Sequence, residues 1–169
     1  MTDKAFKLYL DKNYSEAINL LQSLLEDNME CAKCYRILAY IYDAENKFNL
    51  AEENHILAVK YSLNNASFYL ARASFYFKNS LFMDAIDDYS HIINNYNVLY
   101  RDISLDTAYF ERSLAHCCLG NFNKVLDDFN KYEVLMNFTY MKPISCKINK
   151  NILLEYATRK EKFPLRKRC

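Results

Sequence analysis

The side chains able to do chemistry in this chain are few, and their spacing limits what they can do. Cys31 and Cys34 form a C-x-x-C, and His116, Cys117 and Cys118 are consecutive. A tetrahedral zinc site takes four thiolate or imidazole ligands, normally from two such pairs. Adjacent Cys117 and Cys118 share one ion poorly, so neither a metal nor any other cofactor is expected. His116 beside Cys117 resembles a thiolate–imidazole pair only on paper, because neighbours on a helix point about 100° apart. Reduced cysteines in a core behave as small apolar side chains, and these six are read that way.

Paired carboxylates can serve acid–base chemistry or bind cations. They recur here as Glu52-Glu53, Asp84, Asp87-Asp88 and Asp127-Asp128. Their recurrence opposite apolar residues marks them as solvated faces instead. Arg72 and Arg112 are expected to meet helix-end carbonyls or carboxylates such as Asp88 and Asp128. With a single glycine, Gly120, no phosphate-cradling loop can be built. Nothing in these residues points to an enzyme.

Composition says what must position them. In 169 residues there are one Gly and two Pro, where an average chain would carry roughly a dozen Gly. Helices joined by short connectors are the consequence, with 15 Tyr and 11 Phe to fill the layers between them. No apolar run approaches the ~20 residues that span a bilayer. The first twelve residues mix charges with apolar side chains, unlike a signal peptide. A cytoplasmic chain with reduced thiols is therefore expected. Residues 159–169 hold six basic side chains against Glu161. This basic tail, residues 161–169 above all, is expected to be disordered and is too small a footprint for nucleic acid.

The chain repeats itself. An aromatic, two residues and a small side chain recur as Tyr14-Ser15-Glu16-Ala17, Phe48-Asn49-Leu50-Ala51, Phe82-Met83-Asp84-Ala85 and Phe122-Asn123-Lys124-Val125. The intervals are 34, 34 and 40 residues. A second phrase precedes it: Tyr35-x-x-Leu38-Ala39-x-x-Tyr42, Tyr69-x-x-Arg72-Ala73-x-x-Tyr76 and Tyr109-x-x-Arg112-Ser113-x-x-His116, with Ala5-x-x-Leu8 left in the first copy. Spacings of three, four and seven place these residues on one helical face. Leu21, His55, Tyr89 and Phe129 follow four residues after each small position of the first phrase. Each copy is thus two amphipathic helices with a polar turn between them. Small residues let two backbones approach, and the aromatics fill the space between copies. One helix pair cannot bury its apolar face alone, so copies must stack.

This pattern resembles the tetratricopeptide-repeat family over roughly residues 1–138. The fold class expected is all-α. The resemblance implies a right-handed α-solenoid of about four helix–turn–helix units, near 1–31, 32–65, 66–105 and 106–139. The six extra residues fall in Tyr96 to Asp106, where Asp102, Ser104 and Asp106 are candidate N-caps. Beyond Lys142-Pro143 a further helix over 145–159, with Ile148, Ile152, Leu153 and Tyr156 on one face, would cap the last unit.

The resemblance also implies that the first helix of each pair lines a concave, partner-binding side. Projected onto this chain, that side presents Phe6, Tyr9 and Leu10 from the first unit. The second contributes Lys33, Arg36, Tyr40 and Asp43, and the third Leu70, Ser74 and Phe77. The fourth adds Phe110, Glu111, Leu114 and Cys117. Some family members clamp an acidic chaperone tail there. Here Lys33 and Arg36 stand alone, and Ile37 and Tyr40 occupy sites of the usual asparagines. The implied partner is another protein, presenting an apolar or amphipathic helical segment or a folded surface. An adaptor is the first reading. A dedicated inhibitor or immunity-type protein that blocks a toxin or enzyme is the second.

Overall fold

The computed structural model describes residues 1–98, 105–131 and 150–160. The described residues are helices joined by turns, and there is no strand among them. The chain divides into two compact units, Met1–Arg72 and Ala73–Cys169.

The first unit contains α1 (Thr2–Leu10), α2 (Tyr14–Glu26), α3 (Cys31–Ala44) and α4 (Phe48–Tyr61), with the first half of α5 (Ala66–Lys78). Here α1 packs on α2 and α3, α2 on α3, and α3 on α4. The second unit holds the rest of α5, then α6 (Phe82–Asn95), α7 (Leu105–Leu119), α8 (Phe122–Lys131) and α9 (Lys150–Arg159). In it α7 is the hub, packed on α6, α8 and α9, and α8 also meets α9.

The repeated phrases mark the helix boundaries. The aromatic of the first phrase is the first residue of α2, α4, α6 and α8. The small residue three positions on then donates the opening helical bond. Ala17 bonds the Asn13 carbonyl at 3.0 Å, Ala51 that of Lys47 at 3.0 Å, Ala85 that of Leu81 at 3.1 Å and Val125 that of Asn121 at 3.3 Å. No side chain caps the starts of α2, α4 or α6. The turn before each of them supplies the order instead. At its centre stand Lys12, Asn46, Ser80 and Gly120, all left-handed, with φ of 62°, 58°, 64° and 78°.

Each of these turns closes with the same two bonds. The left-handed residue reaches back three positions, as Lys12 N–H does to the Tyr9 carbonyl at 3.0 Å. The next residue reaches back five, as Asn13 does to Leu8 at 2.8 Å, Lys47 to Tyr42 at 2.8 Å, Leu81 to Tyr76 at 2.9 Å and Asn121 to His116 at 2.8 Å. This is the Schellman closure of a helix end, which normally uses glycine. Asn65 starts α5 differently: its Oδ1 accepts the Ser67 N–H at 2.9 Å as a side-chain cap.

The cores are built on the predicted positions. Ala5, Ala39, Ala73 and Ser113 of the first helices, and Ala17, Ala51, Ala85 and Val125 of the second, are all 0% exposed. Leu21, His55, Tyr89 and Phe129 are buried with them. A small side chain at such sites, a single methyl in six of the eight, suits close helix approach, since interaxial distance follows the contacting side chains.

Two expectations need correction. Asp106 does not cap α7 but lies inside its first turn, where a carboxylate still suits the helix dipole. Asp102 and Ser104 lie outside the described residues. Asp88 and Asp128 are not solvated, being 4% and 3% exposed, while Asp84, Asp87 and Asp127 do face water. The terminal helix is described from Lys150 onward, with Ala157 buried and Leu154 and Tyr156 half-buried. Ile148 and residues 161–169 lie outside the described residues. No described helix is long and apolar enough to cross a membrane.

Candidate functional site

In the first unit, one face of α1 and α3 carries a run of rings. Phe6 and Tyr9 lie one turn apart on α1, with centroids 5.7 Å apart. Tyr9 also stacks near Tyr14 of α2 at 6.2 Å and meets Tyr40 of α3 at 6.0 Å. Tyr40 then sets its ring edgewise to His55 at 5.9 Å. Offset and edge contacts at these separations suit the ring quadrupoles. The run grades from buried to open: His55 is 2% exposed, Tyr40 and Tyr9 are half-buried, Phe6 is 40% exposed and Leu10 61%.

Charge around this strip is muted. Lys33 pairs with Glu30 at 2.5 Å on the surface. Arg36 lays its guanidinium 4.3 Å from the centre of the Phe68 ring and donates to Ser67 Oγ at 3.3 Å. Burial raises the Tyr9 hydroxyl above its usual range, and Tyr14 and Asp43 add to the effect. Burial raises Tyr40 too, with Arg36 opposing. His55 is pushed down to about 3 by burial, then by Arg72 and Arg36, so it is neutral at any ordinary pH.

Of the predicted partner-contacting residues, Phe6, Tyr9 and Tyr40 are therefore joined on one surface. Leu10 and Asp43 lie on the same two helices, and Lys33 and Arg36 stand toward the start of α3. Leu70 and Ser74 of α5 are half-buried. Phe77, Phe110, Glu111, Leu114 and Cys117 were expected at a surface and are not there, being 5%, 4%, 5%, 0% and 0% exposed. The physical reason is packing on every side. Phe77 meets Phe82 edgewise at 5.3 Å, and α7 is held by three helices at once.

The second unit holds a buried polar set, of which the sequence pointed only to the arginine and its carboxylate. Arg112 forks onto Asp128 with Nε at 3.0 Å and Nη2 at 2.5 Å, while Nη1 donates to Ser90 Oγ at 3.0 Å. Arginine and aspartate are only 14% and 4% exposed. This is the carboxylate pairing expected of Arg112. Burial lowers His116 to about 4. Ser74, Tyr89 and Glu111 are linked by side-chain hydrogen bonds, Ser74 donating to Tyr89 and Tyr89 to Glu111.

Two of the thiols, Cys34 and Cys118, are held in the neutral form. Cys34 is buried and donates to the Met29 carbonyl at 3.4 Å; burial, then Cys31, pushes it up to about 11. Burial pushes Cys118 up to about 12. Nucleophilic cysteines need the opposite shift. Among the described residues, no three His, Cys, Asp or Glu side chains converge as metal ligands. A shallow depression at the start of α3, lined by Glu30, Cys31, Ala32, Lys33, Tyr61 and Phe68, is open to solvent.

Compared with protein-family models, with characterised proteins and with solved structures, the chain matches none.

Proposed function

We propose that this chain is a protein-binding module, a right-handed α-solenoid of the tetratricopeptide-repeat type, that works by capture and not by catalysis. The observation that carries the reading is the ring strip on α1 and α3. Phe6 and Leu10 are solvent-exposed at its edge, and Tyr9 and Tyr40 hold rings in fixed positions beneath them. Rigid aromatics dominate binding energy at interfaces because little side-chain freedom is lost on contact. The 34-residue recurrence of helix starts, Schellman turns and alanine contacts supports the repeat assignment.

The ligand fitting this strip is an amphipathic helical segment that sets apolar side chains at i, i+3, i+4 and i+7 on the rings. An acidic tail fits worse. Lys33 is already neutralised by Glu30, and Arg36 is occupied by Phe68 and Ser67. Panning the purified chain against a peptide library tests this. Enriched peptides should carry the helical apolar spacing and lose at least tenfold in affinity for the double variant F6E/L10E. Equal affinity for a double variant with an unchanged melting curve refutes the strip as the contact.

A further inference from the structure

We propose that Glu111 is a proton-operated control point in the second unit, holding α7 against α6 as the neutral acid and loosening that packing when it ionises. Glu111 lies in the middle of α7 and is 5% exposed. One of its contacts is the hydroxyl of Tyr89 on α6, which is itself 1% exposed and receives a hydrogen bond from Ser74 of α5. The other carboxyl oxygen, Oε2, is buried without a hydrogen-bond partner. A carboxylate in such a place has one neutral donor to set against the loss of its water.

Among the described residues no cation compensates it. On its own helix, Arg112 is turned to Asp128 and Ser90, and His116 is kept neutral by burial. From α6 come Tyr89 and, next to it, Asp88, whose charge is of the same sign. The carboxylate of α8, Asp128, is engaged by Arg112. On α9, Glu155 is exposed and paired with Arg159. An uncompensated charge is disfavoured by desolvation far more than one hydrogen bond restores. Burial accordingly lifts the Glu111 carboxyl from the usual 4.5 to about 7, against the smaller opposing pull of Tyr89.

The direction of the effect is opposite to that of a salt-bridged acid. Below about pH 4.5 the group is protonated whether the chain is folded or not, and nothing is lost. As pH rises to about 7 the unfolded chain releases this proton and the folded one resists. Stability of the second unit falls across that window, which includes neutral pH. The face relieved by opening is the α6–α7 contact, where water or a partner's cation can reach the carboxylate.

The test uses the full chain. Carboxyl-labelled glutamate followed by NMR should show one resonance, absent in E111Q, with a midpoint near pH 7. Tyr89→Phe should move that midpoint upward, because the hydrogen bond it removes favours the ionised form. Urea unfolding of wild type and E111Q should diverge by about tenfold in the unfolding constant per pH unit between pH 5 and 7. Once the intrinsic rise of exchange with pH is divided out, the protection of α6 and α7 amides should fall over the same range in the wild type alone. A Glu111 midpoint below pH 5, or parallel stability profiles for the two proteins, overturns the proposal. If E111Q does not fold, the wild-type and Y89F titrations decide it.

Discussion

Replacing the left-handed turn residues by glycine should stabilise the protein, by amounts that rank with the side chain removed. Lys12, Asn46 and Ser80 adopt φ near 60° at the same point of three successive turns where the fourth turn has Gly120. A Cβ in this region crowds the neighbouring carbonyl and costs roughly 1–2 kcal/mol, less for asparagine. Glycine removes that cost but frees the unfolded chain by roughly 0.4–1 kcal/mol. The net expectation is about 0.5–1 kcal/mol gained for K12G and for S80G, and a few tenths for N46G. The converse change, G120A, should lose about 1 kcal/mol. Both Schellman bonds of each turn are made by backbone atoms, so none is lost in any of these variants. Urea denaturation followed by helical circular dichroism reads the result as a shift in midpoint at constant slope. A K12G that is neutral or destabilised, an N46G that gains more than K12G, or a harmless G120A would refute the reasoning. Any of these would mean that the turns are held by something other than backbone geometry.

Two further outcomes follow from the buried polar groups. D128A leaves the Arg112 guanidinium buried without its carboxylate and should lose about 3–5 kcal/mol, whereas the paired replacement R112M/D128L should recover most of it; thermal melts of the three variants check this. His55 is neutral in the fold because burial holds it near 3, so the unfolded chain takes up its proton first as pH drops below about 6.5. Relative to H55F, the wild type should therefore lose stability progressively from pH 6.5 toward pH 4. Urea midpoints measured at half-unit pH steps make the comparison, and parallel curves would place the acid sensitivity elsewhere.

Much of the helical framework was legible in the residues. The recurring aromatic was read as a landmark, and it is the first residue of four helices. The recurring small residue was read as a backbone contact, and it is fully buried in every copy. Arg112 was expected to meet a helix-end carbonyl or a carboxylate such as Asp88 or Asp128, and it is Asp128 that it holds. The turns were legible as short polar connections but not as left-handed, because glycine, the usual signal, occurs in one of the four. Which side chains reach the surface was legible only in part. Helical period assigns Phe110, Glu111 and Leu114 to a face, but it does not say what packs on that face. In α7 three helices do so. Asp88 and Asp128 were misassigned for the same reason. Their neighbours Asp87 and Asp127 do face water, and a charged pair gives no local sign of which member turns inward.

The turns and the alanine contacts leave this chain with an uneven scope for change. Ala39, Ala51, Ala73 and Ala85 are 0% exposed, so a larger side chain there must displace its neighbours, and glycine would weaken the helix by roughly 1 kcal/mol; drift at these sites is costly in both directions. Lys12 and Ser80 are the reverse case, since a tolerated neighbour there is an improvement. Functional innovation usually costs stability. A lineage or a designer altering the exposed edge at Phe6 and Leu10 can draw on those two turns to absorb the loss, without touching the helices that present the new surface.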